Sequence, residues 1–208
     1  MNNFINLIVE HIFIVLMSVT LATSIAIPLG IIIYKKQFYV NLIINLVSVL
    51  QAFPTLGMFA ILVPLMGIGI STAIFVMFLY ALLPIFLNVI QGFKSINPEY
   101  DIIITSLNID AKKVFFKIEL PLIMPFIISG IRLTTIYTIS LATMATLIGA
   151  GGLGDLIYLG LQQLNIKLTV LGIIPLLVLT ILTNILFNYV ERKLLPADVK
   201  FKLGNKHE

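Results

Sequence analysis

The chain of 208 residues has no cysteine and two histidines, His11 and His207. Disulfides, thiolate chemistry and a His/Cys metal cluster are therefore excluded. Charge is scarce too: 13 Lys and Arg with 9 Asp and Glu make up 11% of the sequence, against 60% hydrophobic residues. With a mean hydropathy of +1.12, too little polar surface remains to cover a water-soluble globule, so lipid has to be part of the solvent. The opening MNNFINLIVEHIFIV carries Glu10 but no Lys or Arg. That is the reverse of a cleavable signal peptide, and the first apolar run is expected to remain as a span. No Walker motif and no catalytic dyad occurs, so the chain is expected to be neither an ATPase nor another enzyme. It is also expected to bind no metal or cofactor.

What is present is a series of apolar runs about the length of a membrane crossing. Five are expected: Ile12 to Tyr34, Val40 to Met66 with an interruption at Pro54, Ser71 to Ile90, Pro121 to Gly149, and Leu168 to Val190. Residues 1–11 then form a short leading segment, 12–193 the membrane domain and 194–208 a tail. The fold class is all-α and polytopic. A net charge of +4 fits basic cytoplasmic loops rather than nucleic-acid binding. Lys35, Lys36, Lys94, Lys112, Lys113, Lys117, Arg192, Lys193, Lys200, Lys202 and Lys206 all fall on one side of this plan. That side is expected to be the cytoplasm, with the N-terminus outside and the C-terminus inside. Arg132, 11 residues after Pro121 or about 16 Å along a helix, is expected to snorkel to the inner interface.

Prolines 28, 54, 64, 84, 125 and 175 lie in or beside the runs. Membrane helices carry more proline than soluble ones, but Pro54 stands out because polar Gln51 and Thr55 flank it four residues apart. Gln51, Pro54, Thr55, Tyr137, Thr143 and Thr146 are the candidate lining of a solute pathway. The hydroxyls of the fourth run would serve equally well for helix-to-helix hydrogen bonding. GAGGLGDL at 149–156 lacks Gly-Lys-Ser/Thr and a ribose-binding acid, so it is a poor phosphate loop. It reads as a tight extracytoplasmic re-entrant turn through Gly149, Gly151, Gly152 and Gly154, with Asp155 capping the next helix.

Between the third and fourth runs lies YDIIITSLNIDAKKVFFKIELP, unusually rich in charge. Ile102, Ile103, Ile104 and Leu107, then Val114, Phe115 and Ile118, recur at helical spacing. The expectation is a helix, a bend at Asn108 in left-handed geometry, and a second short helix capped by Asp110. Its apolar face would lie against its own spans, the headgroups or a partner.

Asn108 ten residues before Ile118-Glu119-Leu120-Pro121 resembles the cytoplasmic signature of ABC importer permeases, in which Glu-Ala-Ala and a glycine precede Ile-x-Leu-Pro. Here Ile102-Ile103-Ile104 replace the triplet and Asn108 the glycine, and Asp101 is one residue out of register with the missing glutamate. GAGGLGDLIYLGLQ and QAFPTLGMFAILVPLMGIG are similar to the osmoprotectant branch, which imports glycine betaine, carnitine or choline. The methionine-importer permeases share much of the same pattern. The resemblance implies a type I importer permease fold with a coupling helix within 94–120. Asp101, Ser106, Asn108, Asp110, Ala111, Lys112, Lys113, Glu119, Leu120 and Pro121 would engage the ATPase. It implies two ATPase subunits holding ATP and Mg, a second permease copy or sister permease, and a separate, lipid-anchored extracytoplasmic binding protein, in a bacterial plasma membrane. The alternatives are a permease for methionine or another amino-acid derivative, and an ATP-independent secondary carrier.

Overall fold

The computed structural model describes residues 2–97 and 110–194, and the described residues contain helices and turns but no strand. Helix α1 (Asn2–Ile33) has 32 residues and starts ten residues before the expected span. No Gly or Pro occurs before Pro28, so nothing stops the helix from extending back through Glu10 and His11.

Helices α2 (Gln37–Ala52) and α3 (Thr55–Met66) replace the expected second span and are bent by 92° at the break. The cause is local. Phe53, which precedes Pro54, is extended at φ −69° and ψ 134°, because a following proline clashes with the helical conformation. The other prolines inside spans, Pro28, Pro64, Pro84, Pro125 and Pro175, stay within helices.

Helix α4 (Ile70–Lys94) is the hub, with 56% of its most apolar stretch buried. It packs on α1, where a Cβ at Gly30 would stand 2.7 Å from Val89 Cγ1. Its other flank meets the helix that follows Glu119, where a Cβ at Gly130 would stand 2.7 Å from Asn88 Cβ. Such small-residue contacts let membrane helices approach closely where lipid supplies no hydrophobic drive between them.

Asp101, Ser106, Asn108 and the expected bend lie outside the described residues. The chain resumes at Asp110 with α5 (Ala111–Val114), which passes through a π-helical turn (Phe115–Glu119) into α6 (Leu120–Leu141) and a 3-10 segment (Ala142–Ile148). The separate second helix expected before span four is thus continuous with it, one helical stretch of 38 residues from Ala111 to Ile148. Pro121 cannot donate to Lys117 O, and the ladder adjusts beside it: Leu120 N–H bonds Phe115 O, five residues back.

After the glycine turn come α7 (Gly154–Gln162) and α8 (Ile166–Leu194). Only 6% of the most apolar stretch of α8 is buried, so this helix sits at the periphery. Four stretches are long and apolar enough to cross a membrane, and five if α2 and α3 form one broken span. This agrees with the five runs read from the sequence.

Candidate functional site

Polar side chains gather in three places, beginning with the break at Pro54. Pro84 has no N–H, so the Tyr80 carbonyl four residues earlier loses its helical donor. Gln51 supplies the replacement, Nε2 donating to Tyr80 O at 2.8 Å. The Tyr80 hydroxyl in turn donates to Phe53 O, the carbonyl freed where α2 ends. Thr55 and Tyr137 both lie close enough to the Tyr80 hydroxyl to interact with it electrostatically. The structure therefore brings together Gln51, Pro54, Thr55 and Tyr137 around a residue the sequence reading did not single out. Gln51 is committed to a backbone carbonyl, whereas Tyr137 is half exposed, at 50%. The signal for Tyr80 was its position four residues before a proline.

The second gathering is the glycine turn. Gly149, Gly151 and Gly152 have φ of 65°, 77° and 90°, the left-handed region that glycine enters without cost. This conformation aims Gly152 N–H at the Glu10 carboxylate, 3.1 Å away, and a Cβ at Gly151 would stand 2.3 Å from Glu10 Oε2. Gly154 lies so near Thr143 that a Cβ would be 2.2 Å from its carbonyl oxygen. His11 is fully buried, its Nε2 donating to Ile139 O at 3.0 Å, which leaves Nδ1 buried without a partner.

Glu10 and His11 were expected to precede the membrane domain. They instead bind α1 to the turn and to α6, and lie within the stretch Phe4–Ile33 that is long and apolar enough to cross a membrane. Asp155 does not cap α7, whose first residues receive no side-chain cap. It accepts a hydrogen bond from the Thr146 hydroxyl, although its charge still sits favourably in the first turn of the helix. The Thr143 hydroxyl is used within its own helix, donating to Ser140 O at 2.8 Å. Thr143 and Thr146 thus belong to this cluster rather than to the Pro54 break.

The third gathering surrounds the short α5. Asp110 stands at its N-cap with extended backbone and its carbonyl accepts the first helical bond, from Val114 N at 3.0 Å. Its side chain makes no cap bond and is exposed, so the expected carboxylate cap is not formed. Ala111, Lys112, Lys113, Phe116 and Lys117 are also exposed, with Phe116 at 63%. On the opposite face Val114 is buried and Phe115 packs beside Phe93 and Ile123.

Glu119 turns inward and accepts from the Tyr34 hydroxyl, which lies 3.1 Å from both carboxylate oxygens. Tyr34 stacks on Phe93 with ring centroids 3.7 Å apart. Burial, opposed by Lys35 and reinforced by the charge of Glu119, pushes the Tyr34 hydroxyl above the usual tyrosine range, so it remains a donor. Leu120 is partly buried, while Pro121 is exposed on the first turn of α6.

Arg132 does not simply snorkel. Its Nη1 pairs with Glu191 Oε2 at 3.0 Å and donates to Asn188 Oδ1, fixing α6 to the end of α8. The burial cost of the cation is offset by a carboxylate and an amide on the same neighbouring helix.

Comparison with known proteins agrees with this arrangement. Residues 26–196 match the family described as binding-protein-dependent transport system inner membrane component. The choline transport system permease protein OpuBB of Bacillus subtilis is 36% identical over 191 residues, covering 92% of this chain and 88% of that protein. The carnitine transport permease protein OpuCB of Listeria monocytogenes is 34% identical over the same shares of the two chains. The fold matches a solved inward-facing conformation of the MetNI methionine ABC transporter with a TM-score of 0.82 at 19% identity, covering 94% of this chain and 98% of that one. The chain belongs to the family of binding-protein-dependent transport system inner membrane components and is a multi-pass permease subunit of an ABC importer.

Proposed function

We propose that this permease moves a small osmoprotectant of the glycine betaine, carnitine or choline kind toward the cytoplasm, driven by ATP that a separate subunit hydrolyses. The observation that carries the reading is the similarity to choline and carnitine permeases along nine-tenths of the chain. The polar groups at the Pro54 break support it: Thr55, Tyr80 and Tyr137 are neutral hydroxyls, suited to a solute whose cation or zwitterion should pass without being trapped by a fixed charge.

A binding protein outside delivers the solute, and recognition of a quaternary ammonium rests mainly on cation–π contacts there. Two ATPase subunits bind ATP and Mg and close, and their movement reaches each permease through the exposed face of α5. Lys112, Lys113 and Lys117 offer positive charge on that face and Phe116 an apolar knob. Two permease chains enclose the pathway, with the N-terminus outside and the Lys35–Lys36 turn and the C-terminus in the cytoplasm.

The test is uptake of radiolabelled betaine, carnitine or choline into proteoliposomes that hold the permease, its ATPase and its binding protein. Uphill uptake should require all three components and ATP. Uphill uptake by the permease alone would refute the reading. A permease for methionine or another amino-acid derivative is the second reading, favoured by the fold it shares with the methionine transporter.

A further inference from the structure

Helix α2 has three faces of different chemistry. At about 100° per residue, Val40, Ile44, Val47 and Gln51 share one face, packed toward α1 and α4. Leu42, Leu46 and Val49 form a second face, exposed at 43%, 59% and 63% and wholly apolar, as contact with lipid requires. Between these two runs a third, made of Asn41, Asn45 and Ser48, with Gln37 one turn earlier, and it too is exposed. Gln37 Nε2 donates to Asn41 Oδ1 at 2.8 Å. Among the described residues Asn45 and Ser48 have no side-chain hydrogen bond.

Amides and hydroxyls facing hydrocarbon without partners are costly. A polar row on an otherwise apolar membrane helix therefore faces water or polar protein. Two observations favour water. The row starts beside Lys35 and Lys36, where the chain leaves the apolar layer, and leads up α2 to the break at which Gln51, Thr55, Tyr80 and Tyr137 gather. Polar side chains also bond across membrane helices where small neighbours let the backbones approach, but this row is bordered by the bulky Phe38 and Leu42, which hold a second helix away.

We propose that Asn41, Asn45 and Ser48 line the part of the solute pathway between the Lys35–Lys36 turn and the Pro54 break, and hydrogen-bond the hydrated solute as it leaves. The assignment rests on the permease reading above. It moves the lining of α2 from Gln51, which serves the Tyr80 carbonyl, to the neighbouring face.

This chain has no cysteine of its own, so labelling read on its gel band reports the introduced thiol alone. N45C, S48C and L46C would be introduced singly into the complete transporter in nanodiscs. Each is treated in parallel with a cationic, membrane-impermeant methanethiosulfonate and with an apolar maleimide. S48C exchanges one atom, so insertion is preserved even if N45C is poorly tolerated. N45C and S48C should react with the charged reagent at least about tenfold faster than L46C, because a charge enters water far more readily than hydrocarbon. In proteoliposomes the same modification should reduce uptake in proportion to labelling.

Reaction of N45C and S48C with the maleimide alone, as for L46C, would overturn the proposal by placing the row against lipid. Silence toward both reagents with disulfide formation between permease copies would overturn it by placing the row in a protein interface. Failure of the unmodified transporter to take up betaine, carnitine or choline with ATP would instead sink the osmoprotectant reading, and the labelling contrast would still decide this one.

Discussion

Replacing Gln51 with leucine removes the donor that serves the Tyr80 carbonyl, and the cost should depend on whether Pro84 is present. In the native chain Tyr80 O has no helical donor because residue 84 is proline, and Gln51 Nε2 at 2.8 Å is its replacement. Leaving a largely buried carbonyl unpaired costs about 1–3 kcal/mol. For a chain of this length that corresponds to a melting temperature lower by roughly 2–12 °C, at about 2–4 °C per kcal/mol. In a Pro84→Ala background the N–H of residue 84 bonds Tyr80 O, so Gln51→Leu should cost under about 0.5 kcal/mol in a double-mutant cycle. The assay is thermal loss of the far-UV helical signal for the four proteins purified in one detergent, with uptake measured in parallel. An equal penalty for Gln51→Leu in both backgrounds would refute the reasoning and return Gln51 to the list of lining residues.

Gly151→Ala places a Cβ 2.3 Å from Glu10 Oε2 at a φ of 77°. Backbone strain of about 1–2 kcal/mol together with loss of the carboxylate bond should lower the melting temperature by on the order of 10 °C. The same substitution in a Glu10→Ala background should cost only the strain. Tyr80→Phe leaves Phe53 O unpaired and should reduce stability by about 1–2 kcal/mol, measured by the same thermal assay. Lys112→Glu with Lys113→Glu reverses the charge of the exposed α5 face; co-purification of the ATPase and uptake should both be lost while membrane insertion persists, and retained co-purification would move the contact elsewhere. Glu191→Gln should destabilise by about 1–2 kcal/mol, because Arg132 keeps its charge and loses its carboxylate; removing both charges with Arg132→Gln should recover part of that loss in the same melt.

The apolar runs were legible because crossing hydrocarbon requires about 20 apolar residues whatever the fold, and the break at Pro54 because proline restricts the residue before it. The glycine turn was legible as a turn, since only glycine tolerates such backbone angles freely. Its partner was not. Glu10 lies more than a hundred residues away in sequence, and nothing in the first run announces that its carboxylate meets Gly152. The role of Gln51 was hidden for the same reason: a polar residue beside a break fits a pathway lining as well as it fits a carbonyl orphaned on another helix. Asp110 and Asp155 were read as caps from position alone, whereas one carboxylate stays in solvent and the other takes a hydroxyl donor. Local propensity offers a bond, and tertiary contacts decide whether it forms.

The unbroken stretch from Ala111 to Ile148 has a mechanical consequence. Thirty-eight residues at 1.5 Å each reach about 57 Å, nearly twice the roughly 30 Å of hydrocarbon. One strut thus joins the lysines at one surface to the glycines at the other with no loop in between to absorb displacement. Its π-helical and 3-10 sections lie toward its two ends, where the hydrogen-bond ladder is most yielding. A push on Lys112 should arrive at Gly149 as axial movement of the whole strut.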